Sequence, residues 1–422
     1  MGQSDYSKNG EARNATDETP SARDILVCIQ DERLAFKKRY PCSRSLLRQN
    51  SKYFDRLLDP DKFEEGRRIE QELHERAAGN GLAHEKPLPT ITVSDLPLLF
   101  ERPSRANESD LAEILTLFLR MLHGVQVSWP FSGIKEFRSL EFLARLAIIA
   151  DFFSAPDILH GFVRKVHNNE RAAYNGLFGM KNKVPETVVR QQLLIGILLS
   201  FSPWIWSGSN YLICKGSGHW SQSSQEDTRS DDGQVAWNML PNGIEEELFA
   251  RRQYVLQTIS SIQSHFVGLY SSKLIQCKKG YANSTECDSF QLGEMIKFFT
   301  RKGSLQMRDM YMQQEAEIYN GDMRDLIARL KECPKYQIDS YHQHCGARTR
   351  ILPILEALQN FPDYGICMSC WQTDRTKESW LDNPSGGYWT FLSRGSQFGP
   401  NCDHNGQSKR MYTAETRNWT SF

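Results

Sequence analysis

Two cysteines near the C-terminal end of the chain have the spacing of a metal-binding turn. The stretch "GICMSCW" (residues 365–371) contains Cys367 and Cys370, and a C-x-x-C turn can present two thiolates to one zinc ion. A structural zinc site takes four cysteine or histidine side chains in a tetrahedron, so this turn supplies half of one. The sequence must therefore provide a second pair of ligands.

The second pair is predicted upstream, in "CPKYQIDSYHQHCGARTR" (residues 333–350), which contains Cys333 and Cys345. A short helix predicted just after it would bring this pair towards Cys367 and Cys370. A closed set of four ligands leaves no coordination position for water. We therefore predict that Cys333, Cys345, Cys367 and Cys370 hold a structural zinc ion and not a catalytic one.

Other ligands and other chemistries remain open at this stage. His344 is the main substitute ligand, although side chains as close in sequence as His344 and Cys345 rarely converge on one ion. Cys402 and His404 form a further C-x-H pair that could complete the site instead. The cysteines could also be ordinary buried thiols, or the C-x-x-C turn could be a redox pair.

No enzyme signature accompanies these cysteines. The sequence contains no GxxxxGK[ST] phosphate loop, no GxGxxG after a predicted strand, no HExxH and no GxSxG. We therefore expect no catalytic activity.

The charge balance bears on the partner class. The chain has 51 basic and 51 acidic residues, which argues against a nucleic acid or a membrane surface as the main partner. The C-x-x-C turn is also not followed by the paired histidines of a DNA-reading finger.

Two segments bear on the compartment. The N-terminal residues contain no apolar stretch of the kind that begins a secretory signal. The most apolar stretch, 193–206, is too short to span a bilayer and is interrupted by Pro203. We expect a protein of the cytoplasm or nucleus with reduced cysteines and no membrane partner.

The first part of the chain predicts a small sheet flanked by helices, preceded by a polar, disordered tail at residues 1–22. The predicted elements are, in order, a buried strand at 24–30, a second strand, two short helices within 43–58 joined at Ser51, a charged insertion at 61–89 containing a helix, a strand at 90–97, a helix at 111–124, and two helices within 139–166 broken at Ala155 and Pro156.

This order resembles a BTB (POZ) domain over about residues 23–170. The residues that carry the resemblance are Asp24 and Ile25 at the first strand, Leu46, Leu47, Ser51, Tyr53 and Phe54 in the helix pair, Leu122 and Gly124 at the helix end, and Ala150 and Asp151 in the last pair. The resemblance implies an α/β domain that forms a homodimer or binds another protein. The fold class is therefore expected to be α+β.

The charged insertion contains a candidate partner site. Some BTB domains that recruit cullin-type ubiquitin ligases carry a hydrophobic-x-acidic triplet in this region, and Phe63-Glu64-Glu65 matches it. The resemblance thus implies that Phe63 and Glu65 contact a cullin. The alternative is a solvated charged loop that contains one incidental phenylalanine.

The rest of the chain is predicted to be mainly helical over 171–332, with a mobile polar loop at 216–234, and to end in a region containing cysteine and histidine at 333–422. Taken together, these features predict an adaptor that works by protein–protein interaction. The alternatives are a substrate adaptor of a cullin-type ubiquitin ligase, and a transcription or chromatin cofactor that does not read DNA directly.

Overall fold

The computed structural model describes most of the chain in two compact units. The described residues are 23–78, 87–100, 105–127, 136–164, 184–222, 235–302, 319, 321–360, 363–382, 384, 389–390 and 406–420. The predicted tail at 1–22, residues 223–234 of the predicted loop, Cys402 and His404 lie outside them. The first unit comprises Met1–Pro97, Pro103–Pro130 and Ile149–Ile158, and the second comprises Leu98–Arg102, Phe131–Ile148 and Leu159–Phe422.

The sheet of the first unit is built around a buried central strand. β1 (Ile25–Asp31) pairs antiparallel with β2 (Phe36–Cys42) and parallel with β3 (Thr90–Val93), so the strand order is β2-β1-β3. Val27 lies opposite Tyr40 on one side and Ile91 on the other, and all three side chains are buried. The continuous apolar run of β1 is explained by this central position, because both faces of the strand are covered.

The two short helices predicted after the second strand are present. α1 (Arg44–Asn50) and α2 (Lys52–Leu57) meet at Ser51, whose Oγ accepts a hydrogen bond from the Phe54 N–H at 3.2 Å. The same hydroxyl donates to the carbonyl oxygen of Phe153 at 2.6 Å. Ser51 therefore begins α2 and also ties the helix pair to a distant part of the first unit.

The remaining helices before residue 165 follow the predicted order. They are α3 (Glu64–Ala78), α4 (Arg105–Leu122), α5 (Glu136–Phe152) and residues 157–164 (α6). Gly124 follows α4 with a φ of +69°, a conformation that glycine adopts without strain. The expected mixed α+β fold, mostly helical with a small sheet near the N-terminus, is confirmed.

The second unit is mainly helical. Its elements after residue 183 are α7 (Glu186–Leu198), α8 (Ser202–Lys215), α9 (Ile244–Ser271), α10 (Ser284–Arg301), α11 (Met323–Lys331), α12 (Arg348–Asn360), α13 (Met368–Thr373), α14 (Arg375–Glu378), β4 (Trp389–Thr390), α15 (Gly406–Thr413) and β5 (Arg417–Asn418). The 28-residue α9 is central, because α8, α10 and α15 all pack against it. Within the described residues, no helix combines the length and apolar character that a membrane crossing requires.

Candidate metal centre

Four side chains of the second unit converge in a group that could hold a metal ion. The ligand atoms of Cys277, Cys287, His342 and Cys345 all lie within 4.8 Å of one another. Cys287 and His342 are fully buried, and Cys277 and Cys345 are nearly so. Among the residues that the structure describes, this is the group of cysteine, histidine and acidic side chains that reaches metal-binding distances.

The four residues lie in two segments of the chain, one leading into α10 and one leading into α12. Cys277 lies in the loop between α9 and α10, and Cys287 lies in the first turn of α10. His342 ends a short 3-10 turn, Ser340–His342, which is fixed by Asp339. The Asp339 carboxylate accepts hydrogen bonds from the backbone N–H groups of Tyr341 at 2.8 Å and His342 at 3.0 Å.

The last ligand follows His342 after a tight reversal of the chain. His344 has a φ of +65°, in the left-handed region, and this places Cys345 back beside His342. Gly346 and α12 come directly after Cys345. On the other loop, Gly280 has a φ of +69° and closes the turn that begins at Cys277.

The distances among Cys277, His342 and Cys345 are close to those around a tetrahedral ion. Cys277 Sγ lies 3.4 Å from His342 Nδ1 and 3.5 Å from Cys345 Sγ, and Cys345 Sγ lies 3.9 Å from His342 Nδ1. A tetrahedral zinc ion with ordinary Zn–S and Zn–N bond lengths separates its ligand atoms by about 3.5–3.8 Å. The sulfur–sulfur distance is far longer than a disulfide bond, and all three cysteines are free thiols.

A hydrogen bond orients the imidazole of His342 for metal binding. Its Nε2 lies 2.9 Å from the side-chain oxygen of Asn283, so Nε2 carries the proton and donates it there. Nδ1 is then unprotonated and faces the thiols. The ring of Tyr281 packs edge-on against the imidazole, with ring centres 5.5 Å apart. This is the support that metal-binding histidines usually receive from the residues around them.

The pKa values of the three thiols are pulled in opposite directions. Burial opposes ionisation of Cys277, but hydrogen bonds, first among them the one from the Lys279 backbone N–H, lower its pKa to about 7. Burial and the adjacent thiols raise the pKa of Cys287 to about 12 and also raise that of Cys345. Ionising all three thiols together would require a compensating positive charge, which a bound divalent cation would supply.

The structure brings one of the four predicted ligands into this group. Cys345 belongs to it, whereas Cys333, Cys367 and Cys370 lie outside it. Cys333 is buried just after α11, with its sulfur 3.8 Å from the Pro334 carbonyl oxygen, and burial raises its pKa to about 11. Cys367 precedes the first turn of α13 and Cys370 lies within that helix; both are partly exposed.

The substitute ligand considered in the sequence also lies elsewhere. His344 is not part of the group, which instead contains His342, two residues earlier. In the sequence, the pair His342-x-x-Cys345 has the same spacing as a C-x-x-C turn, and this spacing could have indicated His342 as a ligand. No comparable signal marks Cys277 and Cys287, which are separated by nine residues.

The "GICMSCW" segment is fixed by a buried ionic network. Arg251 of α9 is 0% exposed, and its guanidinium donates to the carbonyl oxygens of Tyr364 at 3.0 Å and Gly365 at 2.8 Å. It also contacts the Glu247 carboxylate at 2.7 Å and the Glu378 carboxylate at 3.2 Å. Arg251 thus binds the start of the segment and the end of α14 to the same helix.

Glu247 also binds the residues that follow α14. Its carboxylate accepts hydrogen bonds from the backbone N–H of Trp380 at 2.8 Å, from that of Leu381 at 3.2 Å and from the Ser379 hydroxyl at 2.7 Å. The side chain is almost fully buried, and each of its oxygens has partners. Residues 364–382 are therefore anchored to α9 by charged hydrogen bonds, which are stronger than neutral ones.

The two predicted partner-binding residues lie at the surface of the first unit. Phe63 is 43% exposed and precedes α3, and Glu65 is exposed in the first turn of that helix.

The residue after Glu65, Gly66, is buried because α3 begins against the backbone of Leu58 and Asp59. A Cβ at position 66 would lie 2.6 Å from the Asp59 carbonyl oxygen, so this close approach requires glycine.

A comparison of the chain with protein-family models, with curated proteins and with solved structures finds no match. The geometry of the site gives a buried group of three thiols and one oriented imidazole that could hold a metal ion.

Proposed function

We propose that Cys277, Cys287, His342 and Cys345 bind one structural zinc ion. Thiolate and imidazole ligands suit zinc, and the separations among Cys277, His342 and Cys345 are close to those of a tetrahedron with normal bond lengths. Because four protein ligands fill the tetrahedron, no position remains for a water molecule to be activated. The ion would hold the loop before α10 to the loop before α12.

We further propose that the chain acts as a protein–protein interaction adaptor whose first unit is BTB-like. The observation that supports this is the topology. The hairpin β1–β2, the α1–α2 pair joined at Ser51 and the parallel β3 occur in the order of the motifs that resemble a BTB domain. The first unit would supply a homodimer or partner surface, and the second would supply a further surface held by zinc.

Metal analysis tests the zinc proposal. We expect about one zinc per purified chain, loss of that zinc in Cys287→Ser and in His342→Ala, and retention in the double variant Cys367→Ser/Cys370→Ser. Cobalt substitution gives a second measurement on the wild type, since tetrahedral thiolate ligation produces intense visible absorption. Wild-type protein without zinc, or zinc lost only from the double variant, would overturn the proposal.

Light scattering after size exclusion tests the interaction proposal on the full chain. We expect a homodimer, with twice the 48.6 kDa mass of the chain, at micromolar concentration. A monomer at every concentration tested would count against the homodimer form of the proposal.

The exposure of Phe63 favours a second candidate function, the cullin-type ligase adaptor. A large apolar side chain in solvent beside an exposed carboxylate can contact a partner. We expect co-purification with a cullin to be lost in Phe63→Ala/Glu65→Ala and kept in Glu75→Ala, which changes an exposed carboxylate further along α3. Cullin binding that survives the double change would remove this candidate.

A further inference from the structure

The two loops that carry the metal ligands also carry exposed apolar side chains. Half of the large apolar residues that are exposed in the described part of the chain lie within four positions of a ligand: Leu274, Ile275, Tyr281, Ile338 and Tyr341. Leu274 is 74% exposed and Tyr341 is 70% exposed. Single exposed apolar residues are ordinary, but a concentration of them around one site marks an interaction surface.

A positively charged pocket adjoins the same loops. Its volume is about 560 Å³, and Lys278, Lys279, His344 and Arg350 contribute to its wall beside Cys345. The other lining residues are Gln276, Gln343, Thr349, Trp419 and Thr420, so none of the described residues that line it is acidic. The pocket is large enough to take several side chains of a ligand, and its charge favours an anionic one.

The cations of the pocket differ in how far they are already engaged. Arg350 donates to the side-chain and backbone oxygens of Gln276, both at 2.9 Å, so its guanidinium is committed to the loop. The side chains of Lys278 and Lys279 are exposed. They are therefore the cations best placed to meet a partner.

We infer that these two loops form a docking surface for an acidic segment of a partner protein that carries at least one large apolar side chain. The lysines receive its carboxylates, and the exposed apolar residues, Leu274 and Tyr341 foremost, receive its apolar side chain. The inference rests on the zinc centre of the proposed function, because the ligands hold the two loops together. It extends that function by naming a surface and a partner chemistry in the second unit.

Fluorescence anisotropy on the zinc-loaded full chain tests this surface. The probes are three labelled short peptides: one alternating acidic residues with leucine and phenylalanine, one with serine in place of the apolar residues, and one with lysine in place of the acidic residues. We expect the first to bind at least about tenfold more tightly than either control peptide. Lys278→Glu/Lys279→Glu and Leu274→Ser/Tyr341→Ser should each weaken its binding by about tenfold or more.

A matched control is Lys37→Glu/Lys38→Glu, which reverses the charge of two adjacent exposed lysines on β2 of the first unit. It should bind the acidic apolar peptide as the wild type does. Zinc content is measured on every variant. If Lys278→Glu/Lys279→Glu loses zinc, the decision rests on Leu274→Ser/Tyr341→Ser, which changes exposed side chains only: weakened binding supports the inference and unchanged binding overturns it.

Two further outcomes would overturn the inference. One is zinc-loaded protein that binds the three peptides equally, which would leave the zinc proposal intact. The other is tighter binding of an oligothymidine or RNA probe that is lost in Lys278→Glu/Lys279→Glu, which would assign the pocket to nucleic acid. Absence of zinc from the wild type would instead refute the proposed function on which the surface depends.

Discussion

Arg251 is a fully buried cation whose partners are all protein groups. Its guanidinium contacts two carboxylates and three backbone carbonyl oxygens, and it lies over the ring of Trp380 with 5.0 Å to the ring centre. Moving a charge out of water is costly, and the cost is recovered here only because every partner is in place. Removing Arg251 would leave two buried carboxylates, Glu247 and Glu378, without their cation.

We therefore predict that Arg251→Met lowers the free energy of unfolding by about 3–5 kcal/mol. The control is Arg48→Met, which removes an arginine whose side chain is 36% exposed and pairs with Asp55 at 3.1 Å. That pair is screened by solvent, so its loss should cost about 1 kcal/mol or less. Urea denaturation of the two variants measures the difference, and equal losses would contradict the buried-network interpretation.

Glu186 gives a prediction about acid stability. Burial raises the pKa of its carboxyl, but hydrogen bonds from Ser217, Arg190 and the Gly218 backbone N–H outweigh burial and hold the pKa below its ordinary value of 4.5. The unfolded chain then takes up this proton before the folded chain does as the pH falls. The stabilisation from Glu186 is therefore complete at a pH above the ordinary pKa of 4.5, which applies to the unfolded chain. It is lost as the pH falls through the lowered pKa of the folded chain.

At neutral pH, Glu186→Gln should lower the free energy of unfolding by about 1.5–3 kcal/mol, the usual loss for hydrogen bonds to a charged group. The difference from the wild type should shrink as the pH falls below about 4.5. Glu246→Gln, which changes an exposed carboxylate on α9, is the control and should stay close to the wild type throughout. A difference that stays constant down to acid unfolding would refute this linkage.

At the residue scale, the sequence indicated one member of the candidate metal centre, Cys345, and cysteine as a ligand type. Cys287 lies 55 positions before His342, and only the packing of the second unit brings them together. Glu247 and Arg251 are four residues apart, the spacing of an ordinary surface pair on a helix. Their burial depends on residues 364–382, far along the chain.

At the element scale, short-range rules were sufficient for most boundaries. The joint at Ser51, the break before Pro156 and the end of α4 before Gly124 all follow from capping and backbone preferences of single residues. Gly66 is the exception. A glycine in the first turn of a helix has no local justification, and only the backbone of Leu58 and Asp59 explains it.

Gly66→Ala is predicted to destabilise the protein, because the added Cβ would lie 2.6 Å from the Asp59 carbonyl oxygen and backbone would have to move. Overpacking against backbone costs about 1–3 kcal/mol. Gly293→Ala in α10 is the matched control, since a Cβ there meets nothing within 4 Å. It should stabilise by about 0.5–1 kcal/mol through helix propensity. Thermal unfolding of both variants measures whether each change stabilises or destabilises the protein. Stabilisation by Gly66→Ala would contradict the close approach.

At the scale of the whole molecule, the two compact units interleave along the chain. Phe131–Ile148 belongs to the second unit, and the following Ile149–Ile158 belongs to the first. Local sequence patterns predict elements in continuous stretches of chain, so they do not reveal such an exchange. The four candidate ligands, in contrast, all lie in the second unit, and the effect of the metal should be confined accordingly.

The zinc proposal therefore predicts that removal of the ion loosens one part of the chain and spares another. The ligands join the loop before α10 to the loop before α12, and binding free energy at such a site is folding free energy for the segments it joins. Hydrogen exchange after treatment with a chelator should rise by at least about tenfold, or about 1.4 kcal/mol, in 272–300 and 336–360. Exchange in β1, β2 and the α1–α2 pair should be unchanged, because these elements contain none of the ligands.

Adding zinc back separates this effect from general unfolding. Protection should return in 272–300 and 336–360 for the wild type, and should not return for Cys287→Ser, which lacks one ligand. Cys333→Ser is the matched control, since it changes a buried cysteine of the same unit outside the group, and its protection should return. An equal rise in exchange over both units, or protection that does not depend on zinc, would show that the four residues do not form a structural metal centre.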